Sequence, residues 1–241
     1  MSEIAIIMPT YHRPISLKIA IDSVVAQSFK DWKLYVIGDG CTDGTKDIVA
    51  SYQSKTPNKI VWKNLKDNHG GGHFRHLKGD SGAACRNTAF HISKEPYIAY
   101  LDDDDRYYDI HLDLLYKTIK HGYDFVYSVG KFIHAQGRMA KPQLIGTEPP
   151  QYQGLGTNAI MHTRAIANKV LFPLKHPEGD MKKGLWKSSK EAWACHDWEL
   201  VQRFLKIGGK WRFINTPTYE AYWGFQNSDF ARMVRTPRFQ K

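Results

Sequence analysis

The chain has 241 residues, 42% apolar and 24% charged, which places it among soluble globular proteins with one substantial core or two closely joined lobes. No apolar stretch approaches the roughly 20 residues of a bilayer span, Met1 leads into a strand-like run without a signal-peptide pattern, and Cys41, Cys85 and Cys195 are too scattered for a disulfide framework or zinc-ligand spacing, so a reducing cytoplasm fits. With 34 basic against 24 acidic residues the net charge is +10, so the surface attracts an anion (a nucleotide, a phospholipid surface or a nucleic acid), although no zinc-finger, basic-zipper or RNA-recognition signature is present.

Residues 4–8 read as a short buried strand, after which Leu17, Ala20, Ile21, Val24 and Val25 recur at helical spacing behind Pro14, a good first-turn residue. Residues 34–37 form a second strand closed by Gly38-Asp39-Gly40. A polar helix over 42–52, a strand at 60–62, a helix over 81–92 and a strand from Tyr97 follow. This βαβα order implies a mostly parallel sheet covered by helices. Ligands bind outside the carboxyl ends of such strands, where Thr10-Tyr11, Asp39 and Asp102 to Asp105 fall. The second half is less regular: a helix over 110–120, a strand over 125–132, a Pro/Gly-rich loop or lid over 141–156, and a Lys, Gly and Ser-rich segment over 174–191. Leu200, Val201, Phe204 and Leu205 then share a helical face stopped by Gly208-Gly209, residues 211–214 read as a strand, and the tail from Asn227 is basic and polar.

The strand from Tyr97 delivers Asp102, Asp103, Asp104 and Asp105 in one run. Such a cluster repels itself unless a cation sits there, and carboxylates are hard ligands that suit Mg²⁺ or Mn²⁺ beside a substrate diphosphate. Alone, the run also reads as a solvated acidic turn. His69, His73 and His76 lie around Gly70-Gly71-Gly72, a setting that reads as a flexible basic loop near the nucleotide; zinc is not expected there, and no Gly-Lys-Ser/Thr follows to make a P-loop.

Five segments occur in order: Ile-Ile-Met-Pro-Thr-Tyr-His-Arg (6–13), Gly-Asp-Gly-Cys-Thr-Asp-Gly-Thr (38–45), Cys-Arg-Asn (85–87), Tyr-Leu-Asp-Asp-Asp-Asp (100–105) and His-Asp-Trp-Glu-Leu (196–200). Together they resemble the family 2 glycosyltransferases of the GT-A fold, across nearly the whole chain. The resemblance implies a single α/β domain over 1–241, its mostly parallel central sheet flanked by helices, with a nucleotide-sugar-binding half at about 1–106 and an acceptor-binding half at about 107–241. It also implies an inverting sugar transferase.

Carried over by position, Pro9, Thr10, Tyr11 and Arg13 line the nucleotide pocket, with Tyr11 packed on the base. Asp39 hydrogen-bonds the base and Arg86 reaches the base or phosphate; a plain turn aspartate and a surface ion pair remain the ordinary alternatives. Asp102 and Asp103 lie near the ribose and metal, Asp102 also serving as a possible ligand, and Asp104 is the direct ligand to Mn²⁺ or Mg²⁺, with the register open by one residue. Asp197 matches the catalytic base, and the positive end of a helix dipole keeps such a base ionised; a first-turn helix acid is the alternative. His196 stands where the family often has Glu, so acceptor contacts at His196 and Trp198 do not transfer directly, and Tyr222-Trp-Gly-Phe-Gln-Asn-Ser228 lacks the histidine sometimes found near the metal. Trp186, Trp193, Trp198 and Trp223 are candidates for an acceptor platform, with core packing accounting for at least half of them.

The implied reaction is an in-line displacement in which Asp197 takes the proton of an acceptor hydroxyl and a nucleoside diphosphate departs. A UDP-sugar is the expected donor and a saccharide or lipid-linked glycan the expected acceptor, with peripheral membrane contact compatible. Hydroxymethylated bases of viral DNA are the alternative acceptor, suggested by the +10 charge and the basic segments 175–190 and 232–241. From other classes, a nucleotidyltransferase would place a Lys/Arg-bearing Gly-rich loop after the first strand, which Pro9-Thr10-Tyr11 is not, and a non-catalytic nucleic-acid-binding protein leaves the carboxylates unexplained.

Overall fold

Apolar runs with no polar interruption make strands that are buried on both faces, and these form the centre of the sheet. In the computed structural model, which describes residues 2–69, 82–135, 142–173, 183–187 and 196–233, these are β1 (Ile4–Thr10), β2 (Trp32–Gly38) and β4 (Tyr97–Tyr100), with β3 (Ile60–Asn64) at the edge. β1 pairs in parallel with β2, from Ile4 opposite Trp32 to Thr10 opposite Gly38, and with β4, Ile7 opposite Tyr100. The connecting helices are α1 (Pro14–Val25), α2 (Thr45–Lys55) and α3 (Ala83–Ile92). The sequence places the second helix from residue 42. It starts later because Asn64 holds both Cys41 backbone groups, at 2.9 and 2.8 Å, and Asp43 accepts a hydrogen bond from the Thr45 amide, so residues 41–44 stay a turn.

Beyond the acidic run come β5 (Arg106–Tyr107), α4 (His111–Ile119), β6 (Phe125–His134), β7 (Gln143–Ile145), β8 (Ile160–Thr163), α5 (Arg164–Lys169), β9 (Phe172–Pro173), β10 (Lys183–Gly184), α6 (His196–Lys206), β11 (Trp211–Trp223) and α7 (Asn227–Met233). The main sheet runs β3-β2-β1-β4-β8-β6-β11-β5, with β7 on β6. Its long ladders are parallel; the antiparallel ones, β8 against β4 and β6 among them, are short.

Several expectations in this half need correction. Part of the expected 141–156 loop is strand β7. The tail expected from Asn227 begins as α7, because Phe230 is buried against Ile19 and Tyr222. β11 continues nine residues past 214 through Pro217, a site of register shift, and through buried Thr218 and Glu220. Those polar residues hide the strand in the sequence, yet each is satisfied: Thr218 Oγ1 meets His111 Nδ1 at 2.7 Å and Ser128 Oγ at 2.6 Å, while Glu220 pairs with Arg106 and Lys131. No helix among the described residues is long and apolar enough to cross a membrane.

The core holds two neutral histidines. His162 is fully buried, its Nε2 2.7 Å from Tyr100 Oη and its Nδ1 3.0 Å from the Thr163 carbonyl, so Nδ1 donates and Nε2 accepts. Burial lowers its pKa to about 4, and burial likewise lowers that of His111 to about 3. A depressed histidine pKa means that the unfolded chain binds the proton first, so each group removes stability as pH falls below about 6.5 toward its folded value. We predict that thermal melts between pH 7 and pH 4.5 fall less in His162→Gln than in wild type, the difference corresponding to about 2 kcal/mol. Equal pH slopes would show that His162 is not buried neutral.

Candidate active site

The four aspartates end β4 and have separate partners. Asp103 is buried and accepts hydrogen bonds from Thr10 Oγ1 at 2.7 Å and Arg13 Nη1 at 3.1 Å. Asp104 is held by the same arginine. Asp102 receives Arg86 Nη2 at 2.6 Å, and its amide donates to Asn158 Oδ1 at 2.8 Å. Asp105 turns inward, accepting from the Tyr222 amide at 2.8 Å and from Asn158 Nδ2. Burial raises the pKa of Asp103, with Arg13 opposing it. Burial, countered by Arg13 but reinforced by Asp103 and Asp102, lifts Asp104 to about 7. Asp105 is pushed well above the carboxylate range by burial, then by Asp104 and Asp102.

At the ends of β1 and β2, Tyr11 stacks on His12 with ring centroids 4.2 Å apart, and His12 takes a left-handed φ of 51° that turns the chain toward Arg13. Asp39 is buried and accepts from the His69 amide at 3.0 Å and from His69 Nδ1 at 2.9 Å, so His69 packs beside it at the end of β2. His73 and His76 lie outside the described residues, as do Gly70 to Gly72, Trp193 and Cys195.

Asp197 sits in the first turn of α6, buried, with Oδ1 accepting from the Trp198 amide at 2.9 Å. The neighbouring His196 has its pKa lowered by burial and then by Arg86, with Asp197 and Asp102 acting oppositely, so all four groups are within electrostatic reach. Tyr219 on β11 marks the same convergence: burial, and after it Asp105, Asp197 and Asp102, raise its phenol far above its ordinary range. Its ring lies over Gly130, where a methyl group would come within 2.3 Å of it.

The structure therefore brings together Thr10, Arg13, Arg86, Asp102, Asp103 and Asp104, with His196 and Asp197 facing them. Trp186 is not an acceptor platform: it is 1% exposed, with Arg86 5.0 Å from its ring and Tyr100 edge-on at 4.9 Å. Trp198 is partly buried against the core, and Trp223 is exposed beside His134. Sequence reasoning missed Asn158, which joins Asp102 to Asp105, and Tyr219; both lie on segments whose strand or turn character their own residues conceal. Among the described residues no group of three or more His, Cys, Asp or Glu converges on a metal position. Asp102 and Asp104 offer the hard carboxylate oxygens that Mn²⁺ or Mg²⁺ takes beside substrate phosphate, and Arg86 and Arg13, which pair with them, would have to turn onto that phosphate for a dication to bind.

A family model described as glycosyl transferase family 2 matches residues 5–171. Among curated proteins, the chain is 27% identical over 180 residues to the Escherichia coli UDP-Glc:alpha-D-GlcNAc-diphosphoundecaprenol beta-1,3-glucosyltransferase WfgD, covering 73% of this chain and 66% of that protein. It is 30% identical over 160 residues to the Staphylococcus aureus poly(ribitol-phosphate) beta-N-acetylglucosaminyltransferase TarP, covering 60% of this chain and 45% of that one. The chain thus spans less than two thirds of these relatives. Among solved structures, S. aureus TarS 1–349 in complex with UDP superposes with a TM-score of 0.65 at 19% identity, over 98% of this chain and 64% of that one, which establishes the shared GT-A type architecture.

The separate partners of the aspartates predict separate mutational outcomes. Asp105→Ala strands the Tyr222 amide and the Asn158 side chain in the interior and is expected to cost about 2–3 kcal/mol in denaturant unfolding. Asp102→Asn keeps an acceptor for the buried Arg86 at a side chain about a third exposed and is expected to cost clearly less. Equal losses would contradict the division of the run into a structural and a solvent-facing part.

Proposed function

The chain belongs to glycosyl transferase family 2, and from that membership we propose that it is a divalent-metal-dependent, inverting enzyme that moves a sugar from a UDP-sugar to a hydroxyl of a saccharide or lipid-linked glycan. The observation that carries the reading is the Arg86–Asp102 ion pair set beside the helix start that bears His196 and Asp197. It supports the reading because Arg86, Asp102 and Asp197 all act electrostatically on His196, so a cation and two carboxylates stand near one helix start.

In this reading Tyr11 and Asp39 receive the base from the ends of β1 and β2, while Pro9 and Thr10 shape the loop beneath it. Asp102 and Asp103 lie toward the ribose, and Arg13 and Arg86 face the diphosphate. Asp104, with Asp102, would hold Mn²⁺ or Mg²⁺, which when bound supplies positive charge to the departing diphosphate. Asp197 orients the acceptor hydroxyl and takes its proton. His196 and Trp198 border the acceptor side. Residues 1–106 thereby serve the donor and 107–241 the acceptor.

Acceptor class follows from charge. The acceptors for which WfgD and TarP are named, a diphosphoundecaprenol-linked sugar and poly(ribitol-phosphate), are both phosphate-bearing. A chain of net charge +10 suits an anionic glycan of that kind, and these relatives favour it over DNA.

Two variants test the assignment. Asp104→Asn is expected to weaken UDP binding in the presence of Mn²⁺ and to remove most metal-stimulated UDP release, because a neutral amide is a poorer ligand for a hard dication; full activity in EDTA would contradict the metal assignment. Asp197→Asn should leave UDP and Mn²⁺ affinities nearly unchanged in calorimetry while cutting kcat for transfer by about two orders of magnitude or more. A wild-type transfer rate in that variant would reduce Asp197 to a helix-start acid.

A further inference from the structure

Asn87 follows Arg86 on α3 and has no part in the chemistry above, yet it is buried and its side chain hydrogen-bonds one distant segment three times. Its Oδ1 accepts from the Leu185 and Trp186 amides, both at 2.8 Å, and its Nδ2 donates to the Trp186 carbonyl at 2.8 Å. A side-chain amide thus does for residues 185–186 what a neighbouring strand would do. The opposite side of the same segment is bound to α6: Arg203 donates to the Leu185 carbonyl, Lys187 pairs with Glu199 at 2.8 Å, and His196 Nδ1 lies 3.2 Å from the Lys187 carbonyl. The Trp186 ring meanwhile backs Arg86 at 5.0 Å.

We infer that Asn87 is a positioning residue for the proposed base: by holding Leu185–Trp186 as a strap, it ties the Arg86 phosphate grip to the helix that carries Asp197, so that the donor diphosphate and the base keep a fixed relation. The inference rests on the reading of Arg86 and Asp197 given under the proposed function. The strap is short and both its central residues are buried, so loss of Asn87 leaves two amides and a carbonyl unmet in the interior and the strap free to shift. A misplacement of the order of 1 Å at a reacting group costs about a hundredfold in rate.

Hydrogen exchange with UDP plus Mn²⁺ as the probe tests this, alongside thermal melts. In wild type the probe should slow exchange over 4–10 and 32–39 and also over 196–206. In Asn87→Ala the protection of 4–10 and 32–39 should persist and that of 196–206 should disappear, with kcat lowered about a hundredfold and UDP affinity nearly unchanged. Arg203→Met frees the strap from its other side and should produce the same loss, which keeps the test intact should Asn87→Ala fail to melt cooperatively. Persisting protection of 196–206 in a folded variant would overturn the inference, as would wild-type protection confined to 4–10 and 32–39. No protection of 4–10 or 32–39 in wild type would overturn the nucleotide reading itself, and the strap inference with it.

Discussion

Carboxylates set side by side at the end of a buried strand repel one another by about 4 kcal/mol per close pair at an effective dielectric near 20, and the elements around residues 102–105 are arranged against that repulsion. β1 lies parallel to β4 in a register that brings Thr10 and Arg13 onto Asp103 and Asp104. The start of α3 supplies Arg86 to Asp102. The turn before β8 supplies Asn158, and β11 supplies the Tyr222 amide, both to Asp105. Each neighbour of the run is therefore also a partner of one of its carboxyl groups, so the order of strands and the polar satisfaction of the site are one problem with one solution.

The first half was legible because its strands are mostly apolar runs and its helices open at Pro14 or after turn residues. The location of the site followed from the same pattern, since carboxyl ends of parallel strands converge, and the five motifs carried the family. The second half was obscured for a definite reason: β11 buries Thr218 and Glu220 against partners from α4, β5 and β6, and such polar burial cannot be read from a strand's own residues. β8 was hidden by its length of four residues. Which of the tryptophans were core could not be read from the sequence; Trp186 is one, its backbone taken up by Asn87 and its ring by Arg86 and Tyr100.

The division of labour inside the acidic run gives the sequence a sense that four identical letters do not show. Asp105 faces inward onto Asn158 and the Tyr222 amide, Asp103 is held by Thr10 and shares Arg13 with Asp104, and Asp102 pairs with Arg86. Cationic side chains at those positions are what a site built to receive a metal-bound diphosphate would use to remain stable between turnovers, and Arg86 and Asp102 both act on His196, the neighbour of the proposed base.

Anomalous diffraction at the manganese edge, from crystals grown with UDP and Mn²⁺, tests the central claim most directly. The account predicts a single peak within coordination distance of Asp104 and of the diphosphate, with Asp105 still bonded to Asn158 and the Tyr222 amide. A peak centred on Asp105, or UDP bound at the ends of β1 and β2 with no manganese at the acidic run, would contradict it.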